Sequence, residues 1–294
     1  MLTFLSERVP EALDLLVNNL DLQPICELLY RLFVQKEGGD DKILEWLKRG
    51  DFYGKLARQL NPAKGMDMHI ATHQFIIGLF ALPFPDQFPR DRIIFPFLNH
   101  SWLIGVLETI FDEDCGDLLL EDSVDLIEEC KQSALINGIS VLTSVLEASN
   151  EVKKQFAADS FISALNDNFE TFFELLQRGP LVKTELILTS GRVEPFGRVR
   201  LSVARLFIEI LACLPLTRQC ENFVKGFRDV RLVPIMLDAF FHYNQNNFLH
   251  EIVVHMLEII FESPVPFEGL IQQILEEYSI RQRIVNVQKE NDAH

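Results

Sequence analysis

The feature that most constrains this chain is a succession of short apolar segments with helical spacing. Each is cut off by Gly, Pro or a polar turn before it could bury its own dry face. From Val9 to Leu20 the apolar residues Leu13, Leu16, Val17 and Leu20 recur three and four apart, the period of a helix with one apolar side. Asp21 and Pro24 open a second segment through Ile25, Leu28, Leu29, Leu32 and Phe33, and Gly38-Gly39 closes it. Asp40 or Asp41 caps a third, containing Ile43, Leu44 and Leu47. A fourth runs from Asp51 to Leu60 and stops at Asn61-Pro62, and Asp67 starts a fifth through Ile70, Phe75, Ile76 and Leu79. Pro83, Pro85, Pro89 and Pro96 make the next stretch an extended connector with a short helix in it.

Helical spacing returns from Phe97 to Phe111, from Ser123 to Ala148, from Val152 to Leu165 and from Phe169 to Leu176. After Pro180 it resumes from Arg198 to Leu214, then, past a polar loop, from Pro234 to Tyr243 and from Asn247 to Glu262. Pro264 and Pro266 break the chain before a last helix from Phe267 to Val287, leaving residues 288–294 as a polar, frayed tail. Strand alternation is scarce. Short helices on short turns must share their apolar faces with neighbours, so the expected fold is all-α, an armadillo/HEAT-like helical solenoid. Residues 1–287 are expected to form one helical-repeat domain. No self-similar motif of 40–47 residues emerges, so this expectation rests on rhythm.

Two segments predict which faces stay wet. Arg198, Ser202, Arg205 and Glu209 recur at spacings of four, three and four, and Asn247, Glu251, His255, Glu258 and Glu262 form a second such row. A helix wet along one stripe is covered on both flanks, as the inner helix of a solenoid is, and such stripes line the concave surface where partners dock.

Composition then excludes function classes. Hydrophobic residues make up 48% of the 294, with 24 Phe, which supplies a long core and rules out disorder for most of the chain. Forty-three acidic against 27 basic side chains give a formal charge of −16, the wrong sign for phosphate backbones or an anionic membrane surface. Five Cys with no C-x-x-C pair, three of them (Cys26, Cys130 and Cys213) within helical patterns, suit a reducing compartment. The longest apolar stretch, Phe75 to Phe84, is too short to span a bilayer and is broken by Pro83. The start has no basic region followed by a long apolar one. A cytoplasmic address is expected, with a nuclear one as the alternative.

No catalytic or metal constellation stands out, and no cofactor is expected. His69 and His73 lie four apart on one helix, but Ile70 follows the first His where a metalloprotease has Glu. They read as partly exposed helical histidines. Asp112 to Glu129 holds nine carboxylates, yet Gly116 and Ser123 fall where a calcium loop needs other residues. It reads as a solvated acidic loop and helix start. Gly191 to Gly197 lacks the Lys and Ser/Thr of a phosphate loop, and there is no G-x-S-x-G. From Arg178 to Arg231, by contrast, ten Lys or Arg stand against five Asp or Glu. Arg198 and Arg200, after the Pro195-Phe196-Gly197 turn, are candidates for an acidic partner surface.

Two passages carry a resemblance. Leu237-Asp238-Ala239-Phe240-Phe241-His242-Tyr243-Asn244-Gln245-Asn246-Asn247-Phe248-Leu249-His250 resembles the SAPS-domain family, the regulatory subunits of serine/threonine protein phosphatase 6. The family has Lys where His242 stands and Trp where Gln245 stands. The second passage, from Phe172 to Leu206, includes Val193-Glu194-Pro195-Phe196-Gly197-x-Val199-Arg200-Leu201, similar to the family's Glu-Glu-Pro-Leu-Gly-x-x-Arg-Leu. The first half resembles the family only in its run of helices, and Thr3-Phe4-Leu5 would fall well inside the family's domain, so the domain is expected to be trimmed at its N-terminus. The resemblance implies an armadillo-like, non-catalytic subunit that binds the phosphatase 6 catalytic subunit and directs it to substrates, with an ankyrin-repeat type subunit as a further partner. It makes Glu194, Pro195, Gly197, Arg198, Arg200, Phe241, Tyr243, Asn246, Asn247 and His250 the candidate partner-binding residues. Physical reading adds that Asn246 or Asn247 caps the following helix and that His250 faces Val254, Leu257 and Phe261, bonded to a nearby carbonyl. The alternatives are a general helical-repeat adaptor without a phosphatase partner and an enzyme whose site gathers distant residues.

Overall fold

The computed structural model describes residues 9–34, 40–82, 93–113, 124–151, 155–178, 186–188 and 191–292. The Gly38-Gly39 stop, Cys115, most of the acidic loop and most of the proline-rich connector lie outside them. The helices are α1 (Val9–Val17), α2 (Gln23–Val34), α3 (Asp40–Arg49), α4 (Phe52–Arg58), α5 (Met66–Phe80), α6 (His100–Ile110), α7 (Val124–Glu151) and α8 (Gln155–Asn166). They continue as α9 (Phe169–Gln177), α10 (Arg198–Cys213), α11 (Cys220–Asp229), α12 (Leu232–His242), α13 (Asn247–Glu262), α14 (Pro264–Gln272) and α15 (Ile280–Asp292). One small antiparallel hairpin, β1 (Leu186–Leu188) with β2 (Gly191–Val193), pairs Leu186 with Val193. The fold is all-α apart from that hairpin. Helices pack on neighbours one to three places away in sequence, as in a helical solenoid, although their lengths run from seven to 28 residues.

The chain divides into two compact units, residues 1–170 with 181–183, and residues 171–180 with 184–294. In the first, α7 lies along α5, α4 packs on α6, and α6 on α7 and α8. The close approach of α6 and α7 needs Gly138, because a Cβ there would stand 2.3 Å from Ile110 Cγ2. Aromatic rings join the helices: Phe52 meets Phe33 at 5.9 Å and Phe75 at 6.2 Å, and Phe97 meets Trp102 at 5.0 Å. The Trp102 indole donates to Tyr53 O at 2.8 Å, so the polar edge of a buried ring is satisfied.

His69, expected from its helical position to be partly exposed, is fully buried. Its Nε2 lies 2.8 Å from Asn61 O. A carbonyl only accepts, so Nε2 carries the proton. Nδ1 is then a bare lone pair with no partner among the described residues, and burial holds the ring's pKa below its usual value. Burial also lowers His73, one turn on, whose side chain bonds Asn137.

In the second unit α10 packs on α13, α11 on α12 and α14, and α13 on α12 and α14. Phe207 and Phe227 meet edge to face at 5.6 Å in its core. Fully burying such a side chain is worth about 1.5–3 kcal/mol. The segment between Leu214 and Pro234, expected to be a polar loop, contains α11. Its three buried residues Phe223, Val224 and Phe227 are the minimum for one dry face, and seven polar or small neighbours hide that signal. The expected final helix is instead broken: α14 passes into a π turn (Gln273–Glu277), and Ser279 takes φ 53° before α15. The tail expected to fray from residue 288 stays helical to Asp292.

Candidate docking site in the second unit

The two passages that carry the family resemblance lie far apart in sequence and meet in space. Gly197 sits at φ 91°, where a Cβ is strained, and this turn aims the chain into α10. Arg200, in the first turn of α10, then folds back over the turn that precedes it. Its Nε donates to Phe196 O and its Nη2 to Pro195 O at 3.2 Å. Nη2 also donates to Tyr243 Oη at 3.1 Å, beyond the end of α12. The guanidinium lies 4.6 Å from the Phe196 ring centre and 5.4 Å from that of Tyr243, while those rings stand 5.2 Å apart. One arginine therefore joins the start of α10 to the end of α12.

A second arginine repeats the arrangement. Arg283 of α15 lies 5.1 Å from the ring centres of both Phe241 and Tyr278, and its Nη1 pairs with Asp238 Oδ1 at 2.7 Å. The Tyr278 hydroxyl donates to the same carboxylate at 2.8 Å, and burial together with that carboxylate pushes its pKa up. Between the two arginines opens a groove of about 450 Å³ with Gln177, Asp238, Ala239 and His242 on its walls. A second groove of about 610 Å³, lined by Phe241, Tyr278, Gln282 and Asn286 among others, shares His242 and Arg283 with it.

The ten residues named from sequence separate into two sets. Glu194, Arg198 and Asn247 are exposed. Arg200 is only 8% exposed, so the expectation that it presents its charge on the surface beside Arg198 does not describe its position. Pro195 and Gly197 form its turn. Phe241 and Tyr243 are half-buried and wall the grooves. Asn246 caps α13, its Oδ1 accepting from Leu249 N at 3.1 Å. His250 bonds Phe240 O at 3.0 Å and lies against the Phe240 ring at 4.4 Å, holding the end of α12 to the start of α13.

Asp238, His242 and Arg283 were not singled out from sequence as site residues. No local spacing could have found Arg283, which comes from α15, with α13 and α14 lying between it and α12 in sequence. The wet stripe of α10 is as read, with Arg198 and Arg205 exposed and Ser202 and Glu209 half-buried. On α13 the wet face is wider than its polar row, because Phe248 (71% exposed), Val254 and Phe261 join it.

Among the described residues no group of three or more His, Cys, Asp or Glu is placed to hold a metal, and no helix is long and apolar enough to cross a membrane. Fold and site together define an all-α, solenoid-like protein with an aromatic, arginine-bearing groove. The profile of the SIT4 phosphatase-associated protein (SAPS) family matches residues 1–223 and 221–294, and the chain belongs to that family. It is 24% identical over 340 residues to serine/threonine-protein phosphatase 6 regulatory subunit 1 of Mus musculus, covering 99% of this chain and 37% of the relative. Regulatory subunit 3-A of Xenopus laevis is 23% identical over 282 residues, 90% of this chain and 31% of the relative. Regulatory subunit 2 of Homo sapiens is 23% identical over 265 residues, 85% and 26% of the two chains. The chain thus spans about a third of the length of these relatives. No solved structure matches.

Proposed function

We propose that this chain is a non-catalytic regulatory subunit that binds the catalytic subunit of serine/threonine protein phosphatase 6 and directs it to substrates. The observation that carries the reading is the family match along the whole chain, joined to relatives named as regulatory subunits of that phosphatase. The exposed members of the cluster formed by both motif passages, Glu194, Arg198 and Asn247, support it, because packing within the fold does not account for them. In this reading Glu194, Arg198 and Asn247, with the exposed edges of Phe241 and Tyr243, touch the partner. Pro195, Gly197, Arg200, Asn246 and His250 hold that surface in shape. An ankyrin-repeat subunit as a third component and a cytoplasmic or nuclear address belong to the same proposal.

The test mixes the purified chain with purified phosphatase 6 catalytic subunit and follows complex formation by analytical size exclusion and biolayer interferometry. A complex is expected, weakened several-fold by Arg198→Glu, with helicity unchanged because Arg198 is exposed. Failure of the wild-type chain to form any complex would sink the reading. Equal affinity of the variant would remove Arg198 from the contact.

A further inference from the structure

We propose that the groove at Arg200 receives an acidic side chain from an extended segment of another protein, and that Arg200 is its anchor. Buried charges in proteins are paired with opposite charges. Arg200 is 8% exposed, yet every group it touches among the described residues is neutral: two carbonyls, one phenol and two ring faces. A guanidinium has five N–H donors. Three are spent on those oxygens, and the two on Nη1 have no acceptor among the described residues. Arg200 lines the groove of about 450 Å³, and we take its free Nη1 edge to face that groove.

The surroundings add positive potential. Arg200 lies in the first turn of a 16-residue helix, whose unpaired N–H groups carry partial positive charge. That turn contains no Asp or Glu, and Gly197 provides no side-chain cap. Glu194, close in sequence, is exposed and forms no ion pair among the described residues. Of the groove's charged walls, Arg283 is already neutralised by Asp238 at 2.7 Å, which leaves Arg200 without a counter-charge in a chain at −16. A planar donor edge packed against two aromatic rings suits a carboxylate or phosphate oxygen. The adjoining groove of about 610 Å³, with Gln282 and Asn286 amides and the Tyr278 ring, gives room for the main chain on either side of that residue. The ligand is therefore an acidic peptide segment: Glu, Asp or phosphoserine at Arg200, its flanks over His242 and Arg283. The inference stands on the groove and not on the phosphatase reading, so either can fail alone.

The test titrates ¹⁵N-labelled full-length chain with acetyl-Gly-Gly-Glu-Gly-Gly-amide, its phosphoserine and Gln counterparts, and sodium phosphate. The signal is the Arg200 Nε–H cross-peak. Saturable shifts are expected with the Glu or phosphoserine peptide and none with the Gln peptide, and the stronger of the two identifies the source of the oxyanion. Because Arg200 substitutions disturb the fold, the variant is Gln177→Glu, an isosteric change on the groove wall that supplies an internal carboxylate. It should weaken binding about tenfold while leaving the rest of the spectrum in place. Equal shifts with the Gln peptide, or unchanged affinity in Gln177→Glu, would overturn the proposal. Sodium phosphate binding as tightly as the phosphoserine peptide would overturn it too, because the groove would then hold a free ion.

Discussion

Arg198 and Arg200 stand two residues apart in the same helical turn, and the structure gives them opposite roles. Replacing each by Met tests this directly. Arg200→Met removes three hydrogen bonds from a charged donor, each worth about 1.5–3 kcal/mol, and two cation–ring contacts. Two effects offset part of that loss: Met needs no desolvation of a charge, and it keeps much of the aliphatic packing. A net cost of about 3 kcal/mol follows. Arg198→Met removes an exposed side chain and should stay within about 0.5 kcal/mol. Because the chain has two compact units, a single unfolding free energy is poorly defined for it. Native-state hydrogen exchange of α10 and α12 amides is the suitable assay. Arg200→Met should speed exchange there on the order of a hundredfold, at about 1.4 kcal/mol per factor of ten, and Arg198→Met should leave it unchanged. Equal exchange in the two variants would refute the assignment of Arg200 as the tie between α10 and α12.

Three further outcomes follow. Asn246→Ala removes the cap on α13 and should cost about 1 kcal/mol, read as faster exchange at Leu249 and its neighbours; unchanged exchange would show that the side-chain bond contributes nothing. Gly138→Ala places a Cβ against Ile110, and overpacking of about 1–3 kcal/mol outweighs the roughly 1 kcal/mol gain in helix propensity, so Tm should fall; a rise would mean that α6 and α7 separate freely. His69 has a folded-state pKa below its unfolded value of 6.5, so the unfolded chain binds the extra proton and stability rises with pH across that window. Its contribution is full above pH 6.5 and is lost as pH falls towards the depressed folded value. Tm should therefore drop on acidification from pH 7.5 towards 5.5, with a shallower slope in His69→Gln. Parallel slopes in the two proteins would contradict the burial argument.

The helices legible in the sequence were those with four or more apolar residues in register, such as α10 and α13, whose bounds differ from the expectation by no more than one residue. The helix missed, α11, carries its dry face on three residues, and only its packing on α12 and α14 makes it stable. Also beyond local pattern was the break after α14, since nothing in Gln273–Glu277 marks a π turn. His69 was misplaced for a related reason. Helical periodicity says which residues share a face, but not how deeply a neighbour such as Asn61 covers that face. In the candidate site, a cap at Asn246 or Asn247 and the carbonyl bond of His250 followed from local chemistry, and the structure gives the cap to Asn246. The burial of Arg200 did not, because its partner Tyr243 and the paired Arg283 arrive from other helices.

That division bears on what the motif means. Several residues that carry the family resemblance, among them Gly197, Arg200, Asn246 and His250, are occupied with joining α10, α12 and α13, a task any chain with this fold must perform. A shared string of that kind argues for shared architecture before it argues for a shared contact. The two positions where this chain departs from the family pattern, His242 and Gln245, are both exposed, and His242 lies on both grooves. Lys at position 242 would add a permanent positive charge beside Arg283 and Arg200, whereas His adds one only when protonated. His242→Lys should therefore strengthen binding of the acidic peptide at neutral pH. The Arg200 cross-peak titrated with that peptide in the two proteins gives the comparison. Equal affinity would mean that position 242 does not sense the groove's charge.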